Sequence, residues 1–178
     1  MANNFLIVID MQNDFVNGSL GTPEAEAIVD AVAERARTFD GTVAFTLDTH
    51  CANYLDTQEG RNLPVVHCVR NTPGWQLAPA VELARLATAG RVFEKPTFGS
   101  TALAAWLVDE NEREPIDSIE LCGLCTDICV VSNALLVKAS LPEVPIRVNA
   151  RLCAGVTPAA HEAALTTMRS CQVEVVGA

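Results

Sequence analysis

Two cysteines four residues apart, Cys125 and Cys129, lie in the segment Gly123-Leu124-Cys125-Thr126-Asp127-Ile128-Cys129-Val130. That segment leaves an apolar run and enters a helical pattern over residues 131–139. A cysteine in the first turn of a helix feels the positive end of the macrodipole and free backbone N–H groups, and both favour thiolate. An unperturbed thiol, with a pKa of about 8.5, is only a few per cent ionised at neutral pH. A nearby cation is therefore wanted, and Lys95 can supply one. On this reading Cys129 is a nucleophile. Core packing and a Cys125–Cys129 redox pair are the other readings, although the spacing is not the C-x-x-C of dithiol oxidoreductases.

A thiol nucleophile needs a proton carrier, and the chain has three histidines. His161 falls in the first turns of the last helical pattern, which predicts a solvated side chain. His50 and His67, with Asp48, form a set that a metal could use. Asp10 is the better carrier. It ends an apolar run, where desolvation raises its pKa and a neighbouring Lys95 pulls it back. Its other reading is a cap of the turn that follows.

These side chains must be positioned by the elements around them. Short apolar runs at 5–9, 43–47, 65–69, 91–93, 118–122, 146–148 and 173–176 read as buried strands. Between most of them lie stretches with helical spacing. Residues 23–39 place Ile28, Val29, Val32, Ala33 and Ala36 on one stripe, with Thr22 as N-cap and Pro23 at the first position. Thr157-Pro158 opens the last helix in the same way, and the charged run 109–114 reads as a solvated helix end. Continuous apolar strands alternating with amphipathic helices predict a three-layer α/β/α, Rossmann-like domain over residues 1–178, with a mostly parallel sheet of about six strands. In such sheets ligands bind beyond the carboxyl ends of the strands. Asp10, then Asp48 and His50, His67, Lys95, and the two cysteines follow five successive runs, so all should meet at one edge.

Bulk properties narrow the partners. A net charge of −10, with no basic block, disfavours nucleic acid. No apolar run approaches a membrane span or a signal-peptide core, which predicts a cytoplasmic protein. At 49% hydrophobic and 19% charged the chain is apolar for its size, which points to a homo-oligomer interface beside the core. Seven cysteines, an odd number without an export signal, predict free thiols rather than disulfides. Neither G-x-G-x-x-G nor a Walker motif occurs, so no nucleotide cofactor is expected.

Three blocks then carry a resemblance. Asp10-Met11-Gln12-Asn13-Asp14-Phe15, Glu94-Lys95-Pro96-Thr97-Phe98-Gly99-Ser100, and Gly123 through Val130 resemble, in order, those of the isochorismatase-like cysteine hydrolases, to which nicotinamidases and N-carbamoyl amide hydrolases belong. The resemblance implies a triad of Asp10, Lys95 and Cys129, and a cis peptide at Leu124–Cys125. It also implies an oxyanion hole from the backbone N–H groups of Cys125 and Cys129, and a substrate pocket lined by Phe15.

Asp48-Thr49-His50 with His67 resembles the metal-binding stretch of nicotinamidases. Imidazoles with a carboxylate suit a divalent Zn, Mn or Fe ion. Where many nicotinamidases have a third histidine, this chain has Asp56 and its neighbours. Some relatives use a glutamate, and Glu59 is suitably spaced from His50. The tryptophan that well-known nicotinamidases carry before the last metal histidine is replaced by Leu63-Pro64-Val65-Val66, with Trp75 downstream. The expected activity is hydrolysis of a small-molecule amide through a thioester, with nicotinamide the leading substrate. A metal-free N-carbamoyl-amide or ureide hydrolase, a silent binding protein and a dithiol redox protein are the alternatives.

Overall fold

The computed structural model describes residues 2–177. Six strands form one sheet: β1 (Asn4–Ile9), β2 (Thr42–Asp48), β3 (Arg91–Lys95), β4 (Ser118–Leu124), β5 (Ile146–Ala154) and β6 (Glu174–Val176). Their order is β3-β2-β1-β4-β5-β6, and each adjacent pair is parallel. The expected α/β class and strand number hold, and the sheet is parallel throughout its described pairs. β1 is apolar from Phe5 to Ile9 and buried along that length, as a strand covered on both faces must be.

The helices are α1 (Asn13–Val16), α2 (Pro23–Thr38), α3 (Gln58–Asn62), α4 (Pro79–Thr88), α5 (Thr101–Arg113), α6 (Val131–Ser140) and α7 (Pro158–Ser170). α2 packs with α4 as one outer layer, while α5, α6 and α7 pack in succession as the other. Two helix starts follow from local sequence. The Ala25 N–H donates to the Thr22 hydroxyl at 3.1 Å, and the Ala160 N–H donates to that of Thr157 at the same distance. Caps of this kind contribute about 1 kcal/mol each. Glu120, buried in β4, accepts two hydrogen bonds from Arg35 of α2 (2.9 and 2.7 Å) and one from Arg147 of β5 (3.1 Å), fastening the helix to the sheet.

The strand order reverses at β1. From there β2 and β3 extend one way and β4 to β6 the other, so the crevice beyond β1 and β4 is the place where such folds bind ligands. Gly123 permits the close passage there. At φ 115° it pairs with Ile9, and a Cβ on it would lie 2.1 Å from the Ile9 carbonyl oxygen.

One expected strand is not formed. Residues 65–69 make only an isolated bridge, between Val69 and His50. Pro64 and the exposed Val66 precede a left-handed turn at Cys68 (φ 46°), which an extended strand cannot contain. Val65 and Val66 precede the buried His67 without entering the sheet. His67 therefore reaches the site from a loop that crosses the end of β2, and not from a strand end.

Candidate active site

Four neighbouring strands place the chemistry. Lys95 ends β3, Asp48 ends β2, Asp10 follows β1, and Cys125 follows β4; Asp48 and Lys95 are register partners. All of Asp10, Asp48, Lys95 and Cys129 are at least 96% buried. The Lys95 ammonium lies 2.6 Å from Asp10 Oδ2, 3.4 Å from Cys129 Sγ and 3.5 Å from Asp48 Oδ1, and it donates to the Thr97 carbonyl at 3.1 Å. Thr46 donates to Asp10 Oδ1 at 2.6 Å. The structure thus brings Asp10, Lys95 and Cys129 together as the motif blocks imply.

The protonation of this cluster differs from the sequence expectation. Burial pushes the Asp10 carboxyl up; Lys95 pulls it back and Asp48 opposes that, leaving it above the usual carboxylate range. Burial also pushes the Cys129 thiol up. Asp10 pushes it further, Lys95 counteracts, and the net lies well above the ordinary thiol range. One ammonium already shared by two carboxylates cannot also hold a third anion in a buried site. Ionisation of Cys129 is therefore disfavoured by burial and by Asp10, against the thiolate that its helix position and Lys95 favour. Asp10, on the same ammonium as the thiol, is the carboxylate placed to receive its proton.

Cys129 lies in a π-helical turn, Thr126–Val130, that leads directly into α6. The Leu124–Cys125 peptide is cis. Ile128 and Val130 both donate their N–H groups to the Cys125 carbonyl at 3.1 Å, which closes the turn around Cys129. Asn133, fully buried one helical turn later, donates to the carbonyls of Cys129 (2.8 Å) and Phe98 (3.0 Å) and accepts from the Ser100 N–H (2.9 Å). It ties the cysteine turn to the loop after Lys95. The Cys125 thiol is half-buried and pushed up to about 12 by burial and by Asp127 and Asp10.

Beside the triad, Asp48, His50, Glu59 and His67 bring one potential ligand atom each to within 4.8 Å of one another. Asp48 Oδ2 lies 3.0 Å from His50 Nε2 and 3.5 Å from His67 Nε2, while Glu59 Oε1 is 3.6 and 3.8 Å from the same nitrogens. His67 Nδ1 is 2.7 Å from the Val65 carbonyl, so its proton sits there and Nε2 keeps its lone pair for the cluster. His50 Nε2 is buried and, among the described residues, has no hydrogen-bond partner. A buried nitrogen left without a partner beside two carboxylates fits a cation between them. Burial raises Asp48, but the two imidazoles beside it and the charge of Lys95 bring it well below the usual range. Asp56 stays exposed and outside this set.

Phe15 packs its ring 5.5 Å from that of His67, and Tyr54 lies 4.6 Å from His50 and 4.9 Å from His67. Trp75 is placed elsewhere. Its Nε1 donates to Thr49 at 2.8 Å, and it lines an open groove with Leu47, Leu77, Leu83 and Val92, away from the triad. Several buried polar residues escaped the sequence reading. Thr46 stands two residues before Asp48, on the same strand face, and Asn133 stands four after Cys129, on the same helix face; those periods were the available signal. Gln12 joins both ends of the cleft, accepting from the Asp48 N–H (2.7 Å) and donating to the carbonyls of Asp48 (2.9 Å) and Trp75 (2.8 Å).

The chain is similar to known proteins along most of its length. The pattern of the isochorismatase domain matches residues 4–178. A nicotinamidase/pyrazinamidase of Mycobacterium tuberculosis is 31% identical over 187 aligned positions, covering 96% of this chain and 97% of the relative. An Escherichia coli nicotinamidase is also 31% identical, over 76% of each chain. Among solved structures, the pyrazinamidase of Pyrococcus horikoshii in complex with zinc superposes with a TM-score of 0.78 at 26% identity, covering 98% of both chains. With the strand order, the motif blocks and these likenesses in agreement, the chain belongs to the isochorismatase family.

Proposed function

We propose that the protein is a cysteine amidohydrolase that converts a small amide, nicotinamide foremost, to the acid and ammonia, acting as one hydrolase domain over residues 1–178. The single observation that carries this is the Lys95 ammonium in contact with Asp10, Cys129 and Asp48 at once inside a sealed site. The nicotinamidase activity of the two bacterial relatives supports the substrate class.

The geometry supports the following sequence of steps. Asp10 takes the Cys129 proton as sulfur attacks the amide carbonyl, so that thiolate never accumulates in a site that disfavours it. The oxyanion is met by the backbone N–H groups of Cys125 and Cys129. Asp10 returns the proton to the leaving nitrogen, and ammonia departs, leaving a thioester. Asp10 then takes a proton from water; the hydroxide adds to the thioester and the sulfur leaves with that proton. Lys95 keeps the site near neutral while the proton moves between sulfur and carboxylate. Phe15, packed against His67, would line the substrate pocket.

Asp48, His50, Glu59 and His67 would hold a divalent Zn, Mn or Fe ion. When bound, the ion supplies a Lewis-acidic point that orients a substrate nitrogen or a water. The proposed substrate is a small molecule, in keeping with the nicotinamidase relatives. A cytoplasmic setting suits the seven unpaired thiols, and the exposed Leu83 and Leu86 of α4 suit a homo-oligomer.

The test is ammonia release from nicotinamide and from a panel of other amides and carbamoyl amides, with trapping of the acylated protein for mass spectrometry. Acyl mass on the Cys129 peptide is expected. Turnover without it, or turnover of carbamoyl amides alone, removes the nicotinamidase reading.

A further inference from the structure

The turn that carries the nucleophile is braced from behind by α7. Thr126, the residue between Cys125 and the rest of the turn, is fully buried, and its hydroxyl lies 2.8 Å from His161 Nδ1. The neighbouring Asp127 accepts from the Val156 N–H at 3.0 Å. Gly155 makes the approach this close, since a Cβ there would lie 2.8 Å from the His161 backbone nitrogen and 2.9 Å from Asp127 Oδ1. His161 is thus half-buried against the turn, not solvated as its place in a first helical turn suggests.

Thr126 shares a peptide group with Cys125. Any rotation of the Thr126 backbone tilts that peptide and moves the Cys125 carbonyl, which holds the Ile128 and Val130 N–H groups on either side of Cys129. The turn then shifts the Cys129 N–H against that of Cys125. On the α6 side the turn is fixed by Asn133 at the Cys129 carbonyl. On the α7 side, the side chain that reaches Thr126 is His161. A hydroxyl inside an apolar shell also needs a partner, and the imidazole nitrogen is the one it has.

We propose that His161 is a positioning residue of the reaction: through its hydrogen bond with Thr126 it holds the two backbone donors and Cys129 in the geometry the oxyanion requires. This rests on the amidohydrolase reading above. Displacement of reacting groups by about 1 Å can cost up to ~100-fold in rate, so a distant side chain can act strongly without touching substrate.

The experiment compares His161→Phe, which keeps a ring but no acceptor, with His161→Asn, whose amide places a polar atom where Nδ1 stands. His161→Phe is expected to lower kcat by roughly 10- to 100-fold with KM within about twofold, and His161→Asn to recover most of it. Thr126→Val should match His161→Phe, and the double variant should be no worse than either alone. Unchanged kcat in His161→Phe, equal loss in His161→Asn, or additive losses in the double variant overturns the inference. If His161→Phe does not fold, Thr126→Val against Thr126→Ser decides it, with loss expected only in the former. Failure of the underlying reading is seen separately, as wild-type protein that releases no ammonia from any amide. In that case the rate of Cys129 alkylation by iodoacetamide is the readout; it should change in His161→Phe and not in His161→Asn, and equal rates in all three proteins overturn the inference.

Discussion

Asp48 Oδ1 lies 3.5 Å from Lys95 Nζ while its other oxygen faces the two imidazoles, so one carboxylate joins the candidate metal site to the triad. The two centres share a charge. A change at either alters the field at the other.

Removal of the sulfur at the two cysteine positions should have unequal effects. Cys129→Ala is expected to abolish turnover, since it removes the sulfur that contacts Lys95 beside Asp10. Cys125→Ala should keep substantial activity, because its backbone N–H remains. Steady-state ammonia release measures both. Equal loss from the two would point to a dithiol mechanism instead.

Asp10 and Lys95 should act in opposite directions on the Cys129 thiol, though both variants lose turnover. The Asp10 charge and hydrogen bond hold the thiol pKa up, and Lys95 holds it down. Asp10→Asn is therefore expected to make Cys129 react faster with iodoacetamide near neutral pH, while amide turnover falls by roughly 100-fold or more for want of a proton carrier. Lys95→Ala should slow alkylation and turnover together. In wild-type protein, alkylation should keep rising with pH beyond the ordinary thiol range. Slower alkylation of Asp10→Asn would contradict the charge arrangement described above.

The metal centre has a graded prediction. His50→Ala should leave the purified protein without bound divalent ion by elemental analysis. Glu59→Gln should only loosen it, because Glu59 is more exposed and its oxygen stands farther from the imidazoles than that of Asp48. Metal removal by a strong chelator should raise KM for nicotinamide more than it lowers kcat. Wild-type protein that carries no ion, with full activity in chelator, would favour the carbamoyl-amide alternative.

Away from the site, Glu120→Gln should cost about 1.5–3 kcal/mol in a denaturant titration, the value of hydrogen bonds to a charged group. Burial raises the Glu120 carboxyl, but Arg35 and Arg147 bring it below its ordinary value in the fold. A carboxylate held low in the native state stabilises fully above its unfolded pKa, about 4.3, and that stability is lost as pH falls through the native value. Wild type should lose its advantage over Glu120→Gln below about pH 4. An advantage that persists into that range, or none at pH 7, would show that the network is idle.

Much of this protein was legible in one dimension. Apolar runs such as 5–9 and 118–122 marked β1 and β4 because a strand covered on both faces has no solvated positions to fill. Their ends then located Asp10, Asp48, Lys95 and the cysteines, since parallel strands deliver their carboxyl ends to one edge. The run 65–69 misled because consecutive apolar residues in a loop look like a strand until a left-handed residue such as Cys68 breaks it. What only the tertiary structure decided lies in distances between segments far apart in the chain. The balance of charge at Cys129 depends on two carboxylates, one after β1 and one ending β2, sharing one ammonium from β3. The bond of His161 to Thr126 depends on how α7 seats against the nucleophile turn. Residue type sets what a group can do, but electrostatic energy varies with separation and burial, and those are properties of the packed fold.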